Sequence, residues 1–261
     1  MEVVELEGLT NVRGLGGIPV GDGRLVKHRL FYRSDNLSLI TEADKRRIKD
    51  VMGVRCVIDL RVGWEREAKP DTDIEGVLNL HIPFYDKEKV GIEYTRSIEG
   101  SKVQGHDIVC DPDHFYRSMS NPLTARMMAK GLDTIFCYAE KGEATLQHCS
   151  GGKDRAGIMA LLILTVLGAS REDILEDYLA TNVGRDKNID AIYARFLRLM
   201  DGDEEKAWVV TENHRARPQN LLAFYESVDE RYGGMEQFLD GTLGFDRKRR
   251  ARLVELCTCP A

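Results

Sequence analysis

The chain lacks most of the features that would place it at a glance. Its six cysteines (56, 110, 137, 149, 257 and 259) form no CxxC pair and no regular framework, which argues against a disulfide-stapled or zinc-ribbon scaffold. They read as reduced thiols of a cytoplasmic protein, with leaderless export the open alternative. Cys257 and Cys259 look like a frayed tail rather than half of a zinc site. Long apolar runs are missing too. The longest, Ile158 to Leu167, falls far short of the ~20 residues of a membrane span. There is no basic excess: 37 Lys and Arg face 43 Asp and Glu, for a net charge of −6. Bulk attraction to nucleic acid or an anionic membrane is therefore not expected, and an anionic ligand must be drawn by local cations. No N-terminal stretch joins a basic region, an apolar core and a cleavage site, so no signal peptide is expected.

No repeat, low-complexity tract or linker divides the 261 residues, and the expectation is one domain over 1–261. "IPVGDGRLVKHRLFYR" (18–33) alternates around an Asp-Gly pair, as a hairpin would. Thr41 with Asp44 caps a helix that ends near Gly53. "VRCVIDLR" (54–61), "VLNLHIPF" (77–84) and "ATLQHC" (144–149) are compact apolar runs with the look of buried strands. Residues 86–111 are polar and weakly patterned and read as a lid or loop, and the folding of 86–120 over the site would set pocket depth. The run 155–167 is apolar nearly all round, hence a buried helix closed by Gly168. Ser170 and Asp173 cap the next helix, and the remainder reads as helices. "DRKRRAR" (246–252) is expected to be the solvated side of the last one. Strands separated by helices imply an α/β fold: a central, largely parallel sheet with helices on both faces. The helices of 170–257 are expected to complete the same core.

What the chain does have is "HCSGGKDR" at 148–155, where a strand gives way to a helix. Backbone N–H groups at a helix N-terminus have no intrahelical partner, and the helix dipole adds positive charge. Such a nest binds a tetrahedral dianion. Gly151 and Gly152 let the backbone curl close to it, and Arg155 offers a planar fork for two of its oxygens. The same field stabilises a Cys149 thiolate. A thiolate facing a bound phosphoryl group is an in-line nucleophile, and a cysteinyl-phosphate intermediate follows. The bland reading, a core thiol beside a capped helix, suits a lone cysteine better than this constellation.

"HCSGGKDRAG" resembles the Cys-x5-Arg signature of the protein-tyrosine phosphatase superfamily. More narrowly, it is similar to a bacterial branch reading H-C-x-x-G-K-D-R-T-G, which includes phosphotyrosine, dual-specificity and phosphoinositide phosphatases. "NVRGLGGIPVGDGRLVKHRLFYRSDNLSLIT" is similar to the branch's N-F-R-D-L-G-G block, and "VIDLRVGWE" to its D-L-R-x-x-x-E. The resemblance implies Cys149 as nucleophile and Arg155 as phosphate clamp, with the amides of Ser150, Gly151 and Gly152 in the cradle. His148 would hold the loop rather than bind metal, since no partner ligand sits at useful spacing. Lys153 would steer a second anionic group. No cofactor and no metal are implied. The partners implied are a phosphorylated protein or a phosphoinositide substrate.

Two positions depart from the branch. Gly14 stands where it usually has Asp, so that carboxylate's contacts are missing, while Asn11 and Arg13 remain to buttress the site. Ala156 stands where it has Thr, whose hydroxyl in relatives donates to the cysteine sulfur. The general acid is implied to be Asp154, inside the loop. Its rival is Asp59, at the end of the strand expected beside the catalytic one, with a structural partnership to Arg61 as Asp59's plainer role. Asp107, Asp111 and Asp113 are weaker candidates. A sulfur-transfer or arsenate-reducing enzyme fits the loop less well than a phosphatase. Ala156 and Gly14 keep a phosphate-binding pseudophosphatase as the alternative. Cys56 and, after it, Cys137 are candidate disulfide partners for an oxidised Cys149.

Overall fold

The computed structural model describes residues 2–84, 112–186 and 189–261. The expected lid at 86–111 lies outside the described residues, as do Asp107 and Asp111. The chain opens with short strands β1 (Glu2–Val3) and β2 (Arg13–Gly14), the hairpin β3 (Pro19–Val20) and β4 (Arg24–Val26), then β5 (Phe31–Ser34). Helix α1 (Glu42–Arg46) leads into β6 (Val54–Asp59), α2 (Gly63–Ala68) and β7 (Leu78–His81). Helices α3 (Pro112–Ser118) and α4 (Pro122–Ala139) precede β8 (Ala144–His148) and α5 (Asp154–Leu167). Then come α6 (Arg171–Asp186), α7 (Ile189–Leu199), α8 (Glu204–Asn213), α9 (Pro218–Tyr232), α10 (Arg247–Cys257) and a closing strand β9 (Thr258–Pro260).

The main sheet has the order β1-β2-β5-β8-β6-β7. Strands β5, β8, β6 and β7 run parallel, and β1 and β2 add an antiparallel edge. Strand β6 supplies both faces, helped by a register shift between Val54 and Cys56: Cys56 and Ile58 join a core with α4 and α5, while Val54 and Val57 join Ile48 and Met52 beneath. The fold is thus α/β with a largely parallel central sheet covered on two sides. Strand β8 is buried at every residue and sits between β5 and β6. Its register aligns His148 with Ser34 on one side and Asp59 on the other. The carboxyl ends of three strands therefore meet where the signature loop begins, the usual ligand crevice of a parallel sheet.

Nearly every residue of α5 is buried, and each Leu or Ile so covered contributes about 1.5–3 kcal/mol. That anchorage fixes the helix whose N-terminus builds the site. Gly168 ends it at φ 88°, a left-handed cap that favours glycine. Helices α6, α9 and α10 send Ile174, Phe224 and Leu253 into the main core. Helices α7 and α8 instead pack on each other through Phe196, Met200, Ala207 and Val210. The basic run on α10 is laced with ion pairs: Arg250 to Glu236, Arg249 to Asp133 and Arg252 to Glu140. The C-terminus is not frayed: Cys257 is fully buried, and Cys259 pairs with Leu25 in a second, three-stranded sheet. A strand partner 234 residues away supplied order that composition alone did not reveal.

Candidate active site

The signature loop is built from behind. Every carbonyl from residue 150 to 153 points away from the cradle onto a donor of the N-terminal segment. Ser150 O accepts from Asn36 Nδ2 at 3.0 Å and Gly151 O from Asn11 Nδ2 at 2.9 Å. Gly152 O and Lys153 O both accept from Arg33 Nη2, at 2.8 and 3.1 Å. With the carbonyls turned outward, the intervening N–H groups are left to face the opposite side, the geometry of an anion nest. Gly152 is fixed at φ +67°, and a Cβ there would lie 2.6 Å from Asn11 Nδ2 and 2.7 Å from Ser34 C. No other residue fits.

The cations behind the loop are themselves held. Asp177 on α6 takes Arg13 Nε at 2.8 Å and Arg33 Nη1 at 2.5 Å. Arg13 also donates to Asn11 Oδ1 at 2.7 Å, which aims the amide at Gly151. Burial opposes the charge on Asp177, yet Arg13 and Arg33 hold its carboxyl below the usual range. Burial and then the charge of Arg33 push Arg13 down to about 10, so it stays cationic at neutral pH. Charges this deeply buried persist only when paired and hydrogen-bonded.

Cys149 lies at the floor of the loop, 1% exposed. Arg155, on the first turn of α5, is clasped by Glu65 of α2: Nη2 donates to Oε1 at 2.8 Å and Nη1 to Oε2. Glu65 takes two of the guanidinium's five donors and so fixes its plane. Burial would raise the Glu65 carboxyl, but Arg155 outweighs it and the group falls to about 2. The Ser150 hydroxyl also donates to Glu65 Oε1, at 2.5 Å. Glu65 lies in the D-L-R-x-x-x-E stretch, and sequence reasoning gave it no role.

Behind the cysteine, His148 Nε2 lies 3.0 Å from Asp71 Oδ2 and 3.9 Å from Asp59 Oδ1. Asp59, Asp71 and His148 gather their ligand-type atoms within 4.8 Å of one another, a proximity that spacing alone did not reveal. The cation already among them is Arg61, whose Nη2 sits 2.9 Å from a carboxylate oxygen of each aspartate. Asp59 further accepts from Arg61 Nε and the Arg61 amide and pairs with Arg66 Nε at 3.0 Å. Its exposure is 0%. Asp71 is pushed up by burial, but His148 and Arg61 bring it down to about 2.

Asp154 is placed differently. It is the first residue of α5, its side chain is 30% exposed, and Lys153 Nζ lies 3.1 Å from its Oδ1. Tyr116 donates to the same oxygen at 2.5 Å. Lys153 Nζ also donates to Asn213 O at 2.8 Å and Arg215 O at 3.4 Å, so it straps the end of α8 to the loop. Asp113 lies on α3.

Two further expectations change. Cys56 pairs with Thr145 in the register of β6 and β8, four residues back from Cys149. At ~3.3 Å per residue that is roughly 13 Å, too far for a disulfide. The place beside Gly14 is not empty of charge, since a Cβ there would lie 2.8 Å from Glu2 Oε2. A carboxylate reaches that spot from β1.

A sequence profile of the tyrosine phosphatase family matches residues 4–258. A protein of Cupriavidus necator named as a tyrosine-protein phosphatase is 26% identical over 91% of this chain and 83% of its own length. The triple specificity protein phosphatase PtpB of Mycobacterium tuberculosis is 25% identical over 92% of this chain and 93% of its own. A tyrosine-protein phosphatase of Nostoc commune is 27% identical over 57% of this chain and 47% of its own.

Proposed function

Because the chain belongs to the tyrosine phosphatase family and is a phosphatase, we propose that it hydrolyses phosphotyrosine and related phosphoprotein esters, and phosphoinositides besides. The observation that carries this reading is the set of outward carbonyls at 150–153, each on a donor from Asn11, Arg33 or Asn36. That arrangement commits the loop amides to an anion above Cys149 before any anion arrives, and preorganised donors are the most effective kind.

The chemistry follows a two-step path general to the family. The Cys149 thiolate forms a bond to phosphorus as the ester P–O bond breaks, and Asp154 gives its proton to the departing oxygen. Water then attacks phosphorus, Asp154 takes a proton from it, and Cys149 leaves as a thiolate. Arg155 and the amides hold the equatorial oxygens throughout. Asp59 keeps a structural part, since both its oxygens are spent on arginines. Lys153 stands beside the anion site, and a second phosphate of an inositide would compete there with Asn213 O and Arg215 O.

PtpB carries triple specificity in its name, which supports a broad substrate range for a chain alike over nine-tenths of its length. Among the described residues no helix is long and apolar enough to cross a membrane. A cytoplasmic site of action remains part of this reading.

The test is phosphate release from a panel of phosphopeptides and phosphoinositides by wild type and Cys149→Ser. Wild type turns over at least one class, and Cys149→Ser loses the activity by orders of magnitude. Equal release by both proteins would end the thiolate mechanism. Binding without release by either would leave the pseudophosphatase.

A further inference from the structure

A chain of buried hydroxyls runs from α9 to the signature loop. Asn220 Nδ2 donates to Tyr178 Oη at 2.8 Å, Tyr178 and Tyr116 share a hydrogen bond at 2.5 Å, and Tyr116 donates to Asp154 Oδ1 at 2.5 Å. Asn220, Tyr178 and Tyr116 are each no more than 2% exposed, and the two rings cross edge to face at 6.4 Å. None of the three belongs to the signature loop.

The direction of the chain is fixed by its first member. The amide nitrogen of Asn220 only donates, so Tyr178 Oη accepts from it and passes its own hydrogen to Tyr116. Tyr116 then has its hydrogen left for Asp154. Lys153 meets the same oxygen from the loop side. Oδ1 therefore stays an acceptor whether Asp154 is protonated or not.

We propose that Tyr116, backed by Tyr178 and Asn220, is a positioning residue that holds Asp154 by Oδ1 and so assigns the proton it gives and takes to Oδ2. The proposal rests on Asp154 being the general acid. The chain is a clamp and not a proton wire, because an amide at its far end has no proton to relay. The proton given to the leaving oxygen must instead return from the water that attacks phosphocysteine. Burial first, and then the negative charge of Asp154, hold the Tyr116 phenol well above its ordinary range, so it does not ionise during the cycle. Burial likewise raises Tyr178. Among the described residues, Lys153 of the loop, Tyr116 of α3 and Tyr178 of α6 face Asp154, with Arg33 of β5 acting on Tyr178.

A donor to a carboxylate favours its charged form, which fixes the sign of the test. The kcat–pH profile is measured on an aryl phosphate with a poor leaving group for wild type, Tyr116→Phe and Tyr178→Phe. Losing the donor makes Asp154 hold its proton to higher pH. The basic limb should move up by roughly one pH unit in Tyr116→Phe and by less in Tyr178→Phe. The rate on the poor leaving group should also fall more than the rate on a good one. Phenylalanine keeps both rings, and should Tyr116→Phe fail to fold by circular dichroism, Tyr178→Phe probes the same chain from behind. Asp154→Asn is run beside them. A selective loss in Asp154→Asn with an unmoved basic limb in the phenylalanine variants overturns the positioning role alone. Equal losses in Asp154→Asn on good and poor leaving groups remove the acid beneath it, and the proposal with it.

Discussion

Asp59 and Asp154 were rivals for one role, and their surroundings differ in a way that separates structural charge from working charge. Asp59 sits at the end of β6 with no exposure, and its oxygens are divided between Arg61 and Arg66. Asp154 sits, partly exposed, at the start of α5, and its Oδ1 meets Tyr116 and Lys153. A carboxylate saturated by guanidinium groups has nowhere to send a proton. Burial with full pairing suits a structural role for Asp59, and partial exposure suits the acid role proposed for Asp154.

Exchanging the two carboxylates for amides should break the comparison most visibly. Asp154→Asn should lose about 10²–10⁴-fold in turnover of aryl phosphates with poor leaving groups and far less with good ones, at unchanged melting temperature. Asp59→Asn should do the reverse. It leaves Arg61 under-paired in the interior, and breaking a buried pair costs about 3–5 kcal/mol, read in chemical denaturation. Leaving-group selectivity in Asp59→Asn, with Asp154→Asn flat across substrates, would exchange the two roles.

How much of this was legible depends on distance along the chain. Strands β6 and β8 stood out because each is a compact apolar run bounded by turns, and the α5 helix because its N-terminal motif and Gly168 bracket it. Strand β7 read as a buried strand too, but it lies at the sheet edge with Leu78 and Asn79 exposed. Cys149, Arg155 and Lys153 share one loop, so local sequence brought them together. Glu65, Asp71, Asp177 and Tyr116 did not announce themselves, since Arg155, His148, Arg13 and Asp154, which they respectively meet, lie from 38 to 164 residues away. Nothing in a carboxylate's neighbours along the chain says which arginine it will meet. Asp59 was readable to its strand end but not to its clasp by Arg66, which needs the turn into α2. Cys56 misled because adjacency of strands is not adjacency of residues, and register decided against it.

Smaller effects sharpen the same contrast. Ser150 spends its hydroxyl on Glu65, so it does not replace the hydroxyl missing at Ala156. A hydrogen bond to a charged group is worth about 1.5–3 kcal/mol. Release of the Cys149 thiolate from phosphocysteine should therefore be slow, and Ala156→Thr should raise the steady rate roughly ten- to a hundredfold. A steady rate unmoved by Ala156→Thr would mean that another group already serves the sulfur. The smallest effect concerns Glu65, whose folded carboxyl lies near 2 against an ordinary 4.5. A depressed carboxyl stabilises the fold above its unfolded value and loses that contribution as pH falls from 4.5 toward 2. Glu65→Gln should flatten the fall in denaturation midpoint between about pH 6 and about pH 3. An identical slope in both proteins would show that Glu65 gains nothing from Arg155.

The central claim is that the preformed cradle presents phosphate to Cys149 and that the thiol is covalently phosphorylated in turnover. Rapid mixing with an activated aryl phosphate, acid quenching and peptide mass spectrometry test it directly. A burst of phenol near one per active site and phosphate on the peptide containing Cys149 are expected, the adduct accumulating because Ala156 slows its release. Steady phosphate release with no burst, no adduct on that peptide and undiminished activity in Cys149→Ser would contradict it.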